Sequence, residues 1–375
     1  MAKQRTKSPP SLASQVLKDY RKSHNLTQEQ LALDLHLEPR TYRAYENGEY
    51  PLNNIHELRR IADLLGIEPQ RLGIASSLYV PRTPEEIEEI IAHTWKLVEA
   101  SRLQEARETI ERFVEHLRAQ ITSDNPALLR SLARAYHTAG YVVSEATRAS
   151  ESYAAILHYE QMQNIAHTLN DHTLLNIALT YQGDMFRRLG SYTKAATYLE
   201  AARDTTPQAD TAAKGNGIQL LARVYLRKGE LGKFERAMGE AEELSYAFDP
   251  ASSSTQGHYN PGTVYEEYGR SYTDLGQTQK ALEYLDHAQE TLPQTKFWEL
   301  LVMTSRAETL IKGNEFRTGI QLAVQAAEQI QATGILRYLD RIYGIQQYLD
   351  KLTREIGQLS MPLREILDGG EYKEI

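Results

Sequence analysis

The chain has 375 residues, 41% hydrophobic and 25% charged, with no cysteine and a formal net charge of −8. That length accommodates two or more domains, each with its own core, and no apolar run approaches the roughly 18 residues of a membrane span. Without cysteine, disulfides and thiolate metal sites are excluded; a cytoplasmic protein with no membrane partner is expected, since the basic start MAKQRTKSPPS is not followed by the apolar stretch of a secretory signal.

Charge is unevenly distributed along the chain. Residues 1–75 carry 11 Lys and Arg against 9 Asp and Glu, whereas residues 76–375 carry 31 against 41. Such asymmetry suits a small phosphate-facing module attached to an acidic body that DNA repels. Residues 1–10, with Lys3, Arg5 and Lys7 ahead of Pro9 and Pro10, are expected to form a basic disordered arm.

Apolar periodicity divides the next stretch into five short helices, at about 12–23, 27–35, 39–47, 54–65 and 69–74. Thr27 with Gln30 three residues on has the capping-box spacing, and Pro39 suits a first helical turn, where its missing N–H is not needed. Glu38 is a poorer cap than Ser or Thr. On the helix from Pro39 to Asn47, Tyr42 and Tyr45 face Leu31 and Leu35 and read as core, which leaves Arg40, Thr41, Arg43 and Ala44 outside. An arginine so placed can make the bidentate contact to guanine O6 and N7, and Arg40 is the first candidate.

Thr27-Gln28-x-x-Leu31-Ala32, a turn, then Tyr45-Glu46-Asn47-Gly48 and Pro51 resemble the helix-turn-helix of the phage-repressor type, the XRE family, over about residues 11–75. The resemblance implies that the Pro39–Asn47 helix enters the major groove of double-stranded DNA. It also implies that Gln28 and Asn47 meet phosphate, and that Arg21 and Glu46 form a structural ion pair. One departure is His36, where the family usually has glycine; histidine tolerates positive φ better than most residues.

Residues 76–84 read as a linker, and helical repeats follow over 85–332. Gly183, Phe186, Gly190, Ala195, Leu199, Ala202 and Pro207 recur with identical intervals as Gly269, Tyr272, Gly276, Ala281, Leu285, Ala288 and Pro293. Weaker copies start at Ala222 and Ala307, with others upstream, giving about six helix pairs. They resemble the tetratricopeptide repeat, although successive starts from Gly183 are 39, 47 and 38 residues apart, beyond the usual period of about 34. The loop at 248–261 accounts for part of the excess.

The expected fold is therefore all-α, a five-helix repressor-like domain followed by a right-handed solenoid with a concave groove. First-helix positions beside the small residues are expected to line the groove and hold a short peptide: Arg130, Arg134, Asp184, Arg187, Asn216, Gln219, Arg223, Arg227, Glu266 and Arg270, with Trp95, Thr180 and Thr304 on the same face. Residues 333–375 read as an amphipathic helix and tail that caps the stack or pairs with a second copy.

The sequence holds no phosphate-cradling Gly-rich loop, His-Glu-x-x-His motif or nucleophile elbow, and His158 and His167 lie nine apart, too far for one metal on a helix. No enzyme activity, metal or cofactor is expected. Domain order resembles the peptide-responsive regulators grouped as RRNPP, which implies a homodimeric transcriptional regulator switched by a peptide. The alternative is an adaptor whose repeats dock a protein partner, or a ligand-independent repressor whose repeats only dimerise.

Overall fold

A computed structural model describes residues 11–50, 52, 54–72, 83–120, 125–151, 153–250 and 253–369. The basic arm, Pro51 and most of the 76–84 linker lie outside the described residues. The chain divides into two compact units, Met1–Val80 and Pro81–Ile375. All described regular structure is helical.

The N-terminal unit comprises α1 (Leu12–Ser23), α2 (Gln28–Asp34), α3 (Pro39–Glu46) and α4 (Ile55–Leu65), closed by a tight 3-10 turn, Pro69–Leu72, where a fifth short helix was expected. Leu17, Leu31, Ala32, Leu35, Tyr42, Ile61 and Ala62 are its fully buried core. Thr27 and Gln30 form the reciprocal capping box, at 2.8 and 3.1 Å, and Pro39 occupies the first turn of α3, whose cap Glu38 makes no side-chain bond. The turn between α2 and α3 passes through His36 at φ 52°, with Leu37 N–H donating back to the Ala32 carbonyl at 2.8 Å. That backbone bond is the 6→1 closure of a helix end, so His36 stands where glycine is usual and carries the strain of a left-handed residue. Arg60 adds a tie by donating to the Leu35 carbonyl at 2.7 Å.

The second unit stacks six antiparallel pairs: α5 (Pro84–Glu99) with α6 (Leu103–Gln120), α7 (Pro126–Ala146) with α8 (Tyr153–Leu169), α9 (His172–Arg188) with α10 (Tyr192–Thr205), α11 (Thr211–Arg227) with α12 (Leu231–Ser245), α13 (Pro261–Asp274) with α14 (Thr278–Thr291), and α15 (Lys296–Lys312) with α16 (Phe316–Thr333). The first helices of successive pairs pack side by side, forming the inner row of an α-solenoid. A 3-10 turn, Leu336–Tyr338, leads into α17 (Leu339–Gly369).

The small repeat positions are where paired helices come closest. A Cβ on Gly183 would lie 2.6 Å from Leu199 Cγ, and one on Gly269 would lie 2.7 Å from Leu285 Cγ, so the two clearest copies share one contact. Neither leucine Cγ can retreat without moving its helix. Gly183→Val is expected to cost about 3 kcal/mol in a urea melt through this overpacking. Gly239→Ala in α12, where an added Cβ meets nothing within 4 Å, is expected to stabilise by about 0.5–1 kcal/mol because alanine is the better helix former. Equal effects from the two changes would refute the close-approach account.

The row of pairs also curls. Loop residue His258 sits between Trp95 of α5 and Trp298 of α15, with ring centroids 4.8 and 5.2 Å away, and Tyr141 on α7 hydrogen-bonds its Nδ1 at 2.8 Å. The loop around His258 and Tyr259 thus turns inward. Its Tyr259 is fully buried, and the position of Tyr259 leaves no room for a side chain at Gly215. Burial, chiefly, lowers the His258 imidazole to about 3, so it packs as a neutral ring.

Candidate functional site

On α3, Tyr42 is fully buried and Tyr45 half-buried, while Arg40, Thr41, Arg43 and Asn47 are exposed and Ala44 is half-buried. Helical periodicity alone produces this division, because Tyr42, Tyr45 and Glu46 share the stripe that faces α1 and α2. The exposed residues are not equivalent. Arg43 pairs with Glu29 of α2, both about half exposed, and a surface pair of this kind contributes at most about 1 kcal/mol and can open. Arg40 makes no ion pair or hydrogen bond among the described residues, so its five donors are available to a partner. Gln28 is half-buried and interacts with Glu46, which turns it toward the domain interior.

Glu46 is the hinge of that interior. Its carboxylate accepts from Arg21 Nε at 2.9 Å and Nη2 at 2.6 Å, joining α1 to α3, and its side chain is 2% exposed. Burial pushes this carboxyl up, but contacts with Arg21, Tyr42 and Gln28 outweigh it and hold it at about 2. The pair fixes the angle at which α3 presents its outer face.

In the repeats, the ten groove candidates fall into two groups. Arg130 and Arg134 pair with Asp171, at 3.0 Å, and Glu88, at 3.0 Å. They border an open cavity of about 490 Å³ whose walls include His137, Met162, Leu174 and Ile177. His137 is buried and its Nε2 has no hydrogen-bond partner among the described residues.

The other eight candidates converge on a largely buried charge network, with Arg227 at its exposed rim. Arg187 donates to Asp184 at 2.8 Å, Arg223 makes a two-pronged pair with Glu267, and Ser305 and Arg341 hold Glu266, the latter at 3.1 Å. Arg227 pairs with Asp274 at 2.8 Å, Gln219 donates to the Thr263 carbonyl at 3.3 Å, and Asn216 and Arg270 border the same space. Only about 80 Å³ of cavity remains at its centre. Burial raises the Asp184 carboxyl, yet the surrounding Arg187 and Arg337 charges hold it below its usual range. Thr180 and Thr304 are fully buried and Trp95 is nearly so, donating to Thr138 at 3.1 Å.

Sequence reasoning missed the residues that complete this network. Glu145, fully buried at the end of α7, receives Arg337, and Asp340 receives Arg148 at 3.3 Å and the Ala149 N–H at 2.7 Å. The chain's own 336–341 segment therefore lies against the inner face. A signal existed: Glu145 is an acid closing the apolar run AGYVVSEA, a position that calls for a buried cation.

The N-terminal unit is thus a helix-turn-helix domain of the XRE type, and residues 15–73 match the family model described as "Helix-turn-helix domain". A search of curated proteins finds no match. Among solved structures, the chain is similar to PlcR of Bacillus thuringiensis in complex with the peptide PapR7 and DNA. Identity there is 15%, covering 75% of this chain and 96% of that one, with a TM-score of 0.38. It is similar at 15% identity to the apo competence regulator ComR of Streptococcus vestibularis, covering 82% and 99%, with a TM-score of 0.38. ComR of S. thermophilus with DNA and its signalling peptide ComS is 17% identical, covering 81% and 100%, with a TM-score of 0.33.

Proposed function

We propose that the protein is a sequence-specific DNA-binding transcriptional regulator that acts as a homodimer and senses a short peptide through its repeats. The observation that carries the DNA reading is the outer face of α3, where Arg40 is exposed and has no ion pair or hydrogen bond among the described residues, on a helix that the Arg21–Glu46 pair sets at a fixed angle. Two such helices would read half-sites about 34 Å apart, or a multiple of that spacing.

Support for the dimer comes from α17. Ile342, Ile345, Leu349, Leu352, Ile356, Leu359, Leu363 and Ile366 follow a strict alternation of three and four residues, the seam of a coiled coil. Ile345, with Ile342, Tyr348 and Leu349, caps the last pair by packing on Ala307, Ile311 and Ala323. Beyond them Ile356, Leu359, Leu363 and Ile366 are exposed, so the continuing stripe suits a second copy.

The Arg130–Arg134 cavity, lined mainly by charged and polar groups with a small apolar patch of Met162, Leu174 and Ile177, suits the carbonyls and carboxylate of a peptide. A peptide advancing further along the inner face competes with Arg337 and Arg341 for Glu145, Asp184 and Glu266. Displacing them would move the start of α17, and with it the stripe proposed for dimerisation. The ligand acts only as far as it binds the two arrangements unequally.

Arg40→Ala is expected to weaken binding to a duplex enriched from random sequence by about 1–3 kcal/mol and to relax one base position. Fluorescence anisotropy on that duplex and on a scrambled one separates the roles: equal loss on both would make Arg40 a phosphate contact and remove it from base readout. Calorimetric titration of five- to ten-residue peptides tests the sensor, and absence of binding across a diverse set would leave the adaptor reading in its place.

A further inference from the structure

Beside the 336–341 segment, the inner face opens into a pocket of about 290 Å³ bordered by seven arginines and three carboxylates. Most of these arginines are spoken for. Arg187 is held by Asp184, Arg223 by Glu267, Arg227 by Asp274, Arg337 by Glu145 and Arg341 by Glu266, while Arg188 donates to the backbone carbonyls of Ser144 and Thr147.

Arg270 is the exception. Its nearest carboxylate oxygens, on Glu266 and Glu267, lie 3.8 and 4.0 Å away, and both acids already serve other arginines. Among the described residues it makes no hydrogen bond, although its side chain is only 17% exposed. The three bordering carboxylates give it no relief. Asp274 is shared between Arg227 and Lys312, Glu308 is taken by Lys312, and Asp340 by Arg148 and the Ala149 N–H. A guanidinium so largely buried, whose two carboxylate neighbours are shared with other arginines and lie beyond hydrogen-bond distance, is only partly compensated.

The neighbouring arginines register the same excess of positive charge. Burial first, and then the charge of Arg270, lowers the Arg341 guanidinium to about 10 and pushes Arg223 down as well. Arginine does not give up its proton at neutral pH, so an anion entering the pocket meets a favourable potential. The chain as a whole carries −8, so this is a local field, produced by the convergence of α9, α11, α13 and α17 on one spot.

We infer that this pocket binds a doubly charged oxyanion, a phosphate monoester or a dicarboxylate, with Arg270 as its two-pronged donor. Planar guanidinium donors match two oxygens of such a group at once. Arg227, 44% exposed, can add a second contact by swinging away from Asp274. The site lies on the face proposed for peptide sensing but rests on neither the peptide nor the DNA reading, since it stands on Arg270, which makes no hydrogen bond among the described residues and shares both its carboxylate neighbours.

The test is thermal unfolding and calorimetric titration of the full chain with glycerol phosphate and with succinate, against sodium chloride at matched ionic strength. Saturable stabilisation by at least one of them is expected, and whichever binds more tightly identifies the source of the oxyanion. Arg270→Gln is expected to lower that affinity about tenfold or more while preserving the circular dichroism spectrum, because it removes no hydrogen bond. Arg227→Gln, at the rim, is expected to have a smaller effect. A shift no greater than that given by chloride, or an affinity unchanged in Arg270→Gln, would overturn the inference, and neither result bears on DNA or peptide binding.

Discussion

Glu267→Leu is expected to be the most damaging single change in the repeats, lowering stability by about 3–5 kcal/mol in denaturant unfolding. Arg223 and Glu267 are 8% and 3% exposed, so the ion left behind stays buried. Loss of the acid strands Arg223 among Arg187, Arg270 and Arg341, whose charges already disfavour it. The converse change, Arg223→Leu, is expected to cost less, because Arg270 lies 4.0 Å from Glu267 and can take over the carboxylate. The double change to leucine removes both charges and is expected to recover most of the loss, since a packed apolar pair often equals a buried ion pair. A double variant as unstable as the sum of the two single variants would show that the pair does not act as a unit.

Arg21→Leu is the second large effect, about 3 kcal/mol on the N-terminal unit, which is small enough for that loss to unfold it. Its signature is the pH dependence. In the wild type Glu46 is held at about 2, below its ordinary 4.5, so its stabilisation is fully present above about pH 4.5 and fades as pH falls toward 2. Without Arg21, burial is opposed only by the Tyr42 and Gln28 contacts, so Glu46 moves up from its wild-type position. The loss of stability on acidification is then smaller, flattening the slope. Hydrogen exchange of residues 12–65 as a function of pH reads this directly, and parallel pH profiles for the two proteins would contradict it.

What could be read in advance was local chemistry. Thr27 and Gln30 announce a helix start, His36 occupies a turn that needs positive φ, and the matched intervals at Gly183 and Gly269 mark close helix contacts, all within a few residues of chain. The charge network was legible only as a list of polar first-helix residues. Its partners depend on how far the solenoid curls: Arg337 and Glu145 are 192 residues apart, and His258 reaches Trp95 only because a loop turns inward. No local periodicity encodes that curvature, so residues expected on an open groove prove to be largely occupied by one another and by the start of α17. On α3, by contrast, the 3.6-residue period suffices to separate Tyr42 from Arg40.

The most direct test of the central claim is selection of full-length protein against a library of random duplexes at low salt. The account predicts enrichment of a two-fold-related site with guanine within each half and half-sites set by helical repeat, and loss of that enrichment in Arg40→Ala. Recovery of duplexes with the composition of the starting library, or the same enriched site from Arg40→Ala, would contradict it.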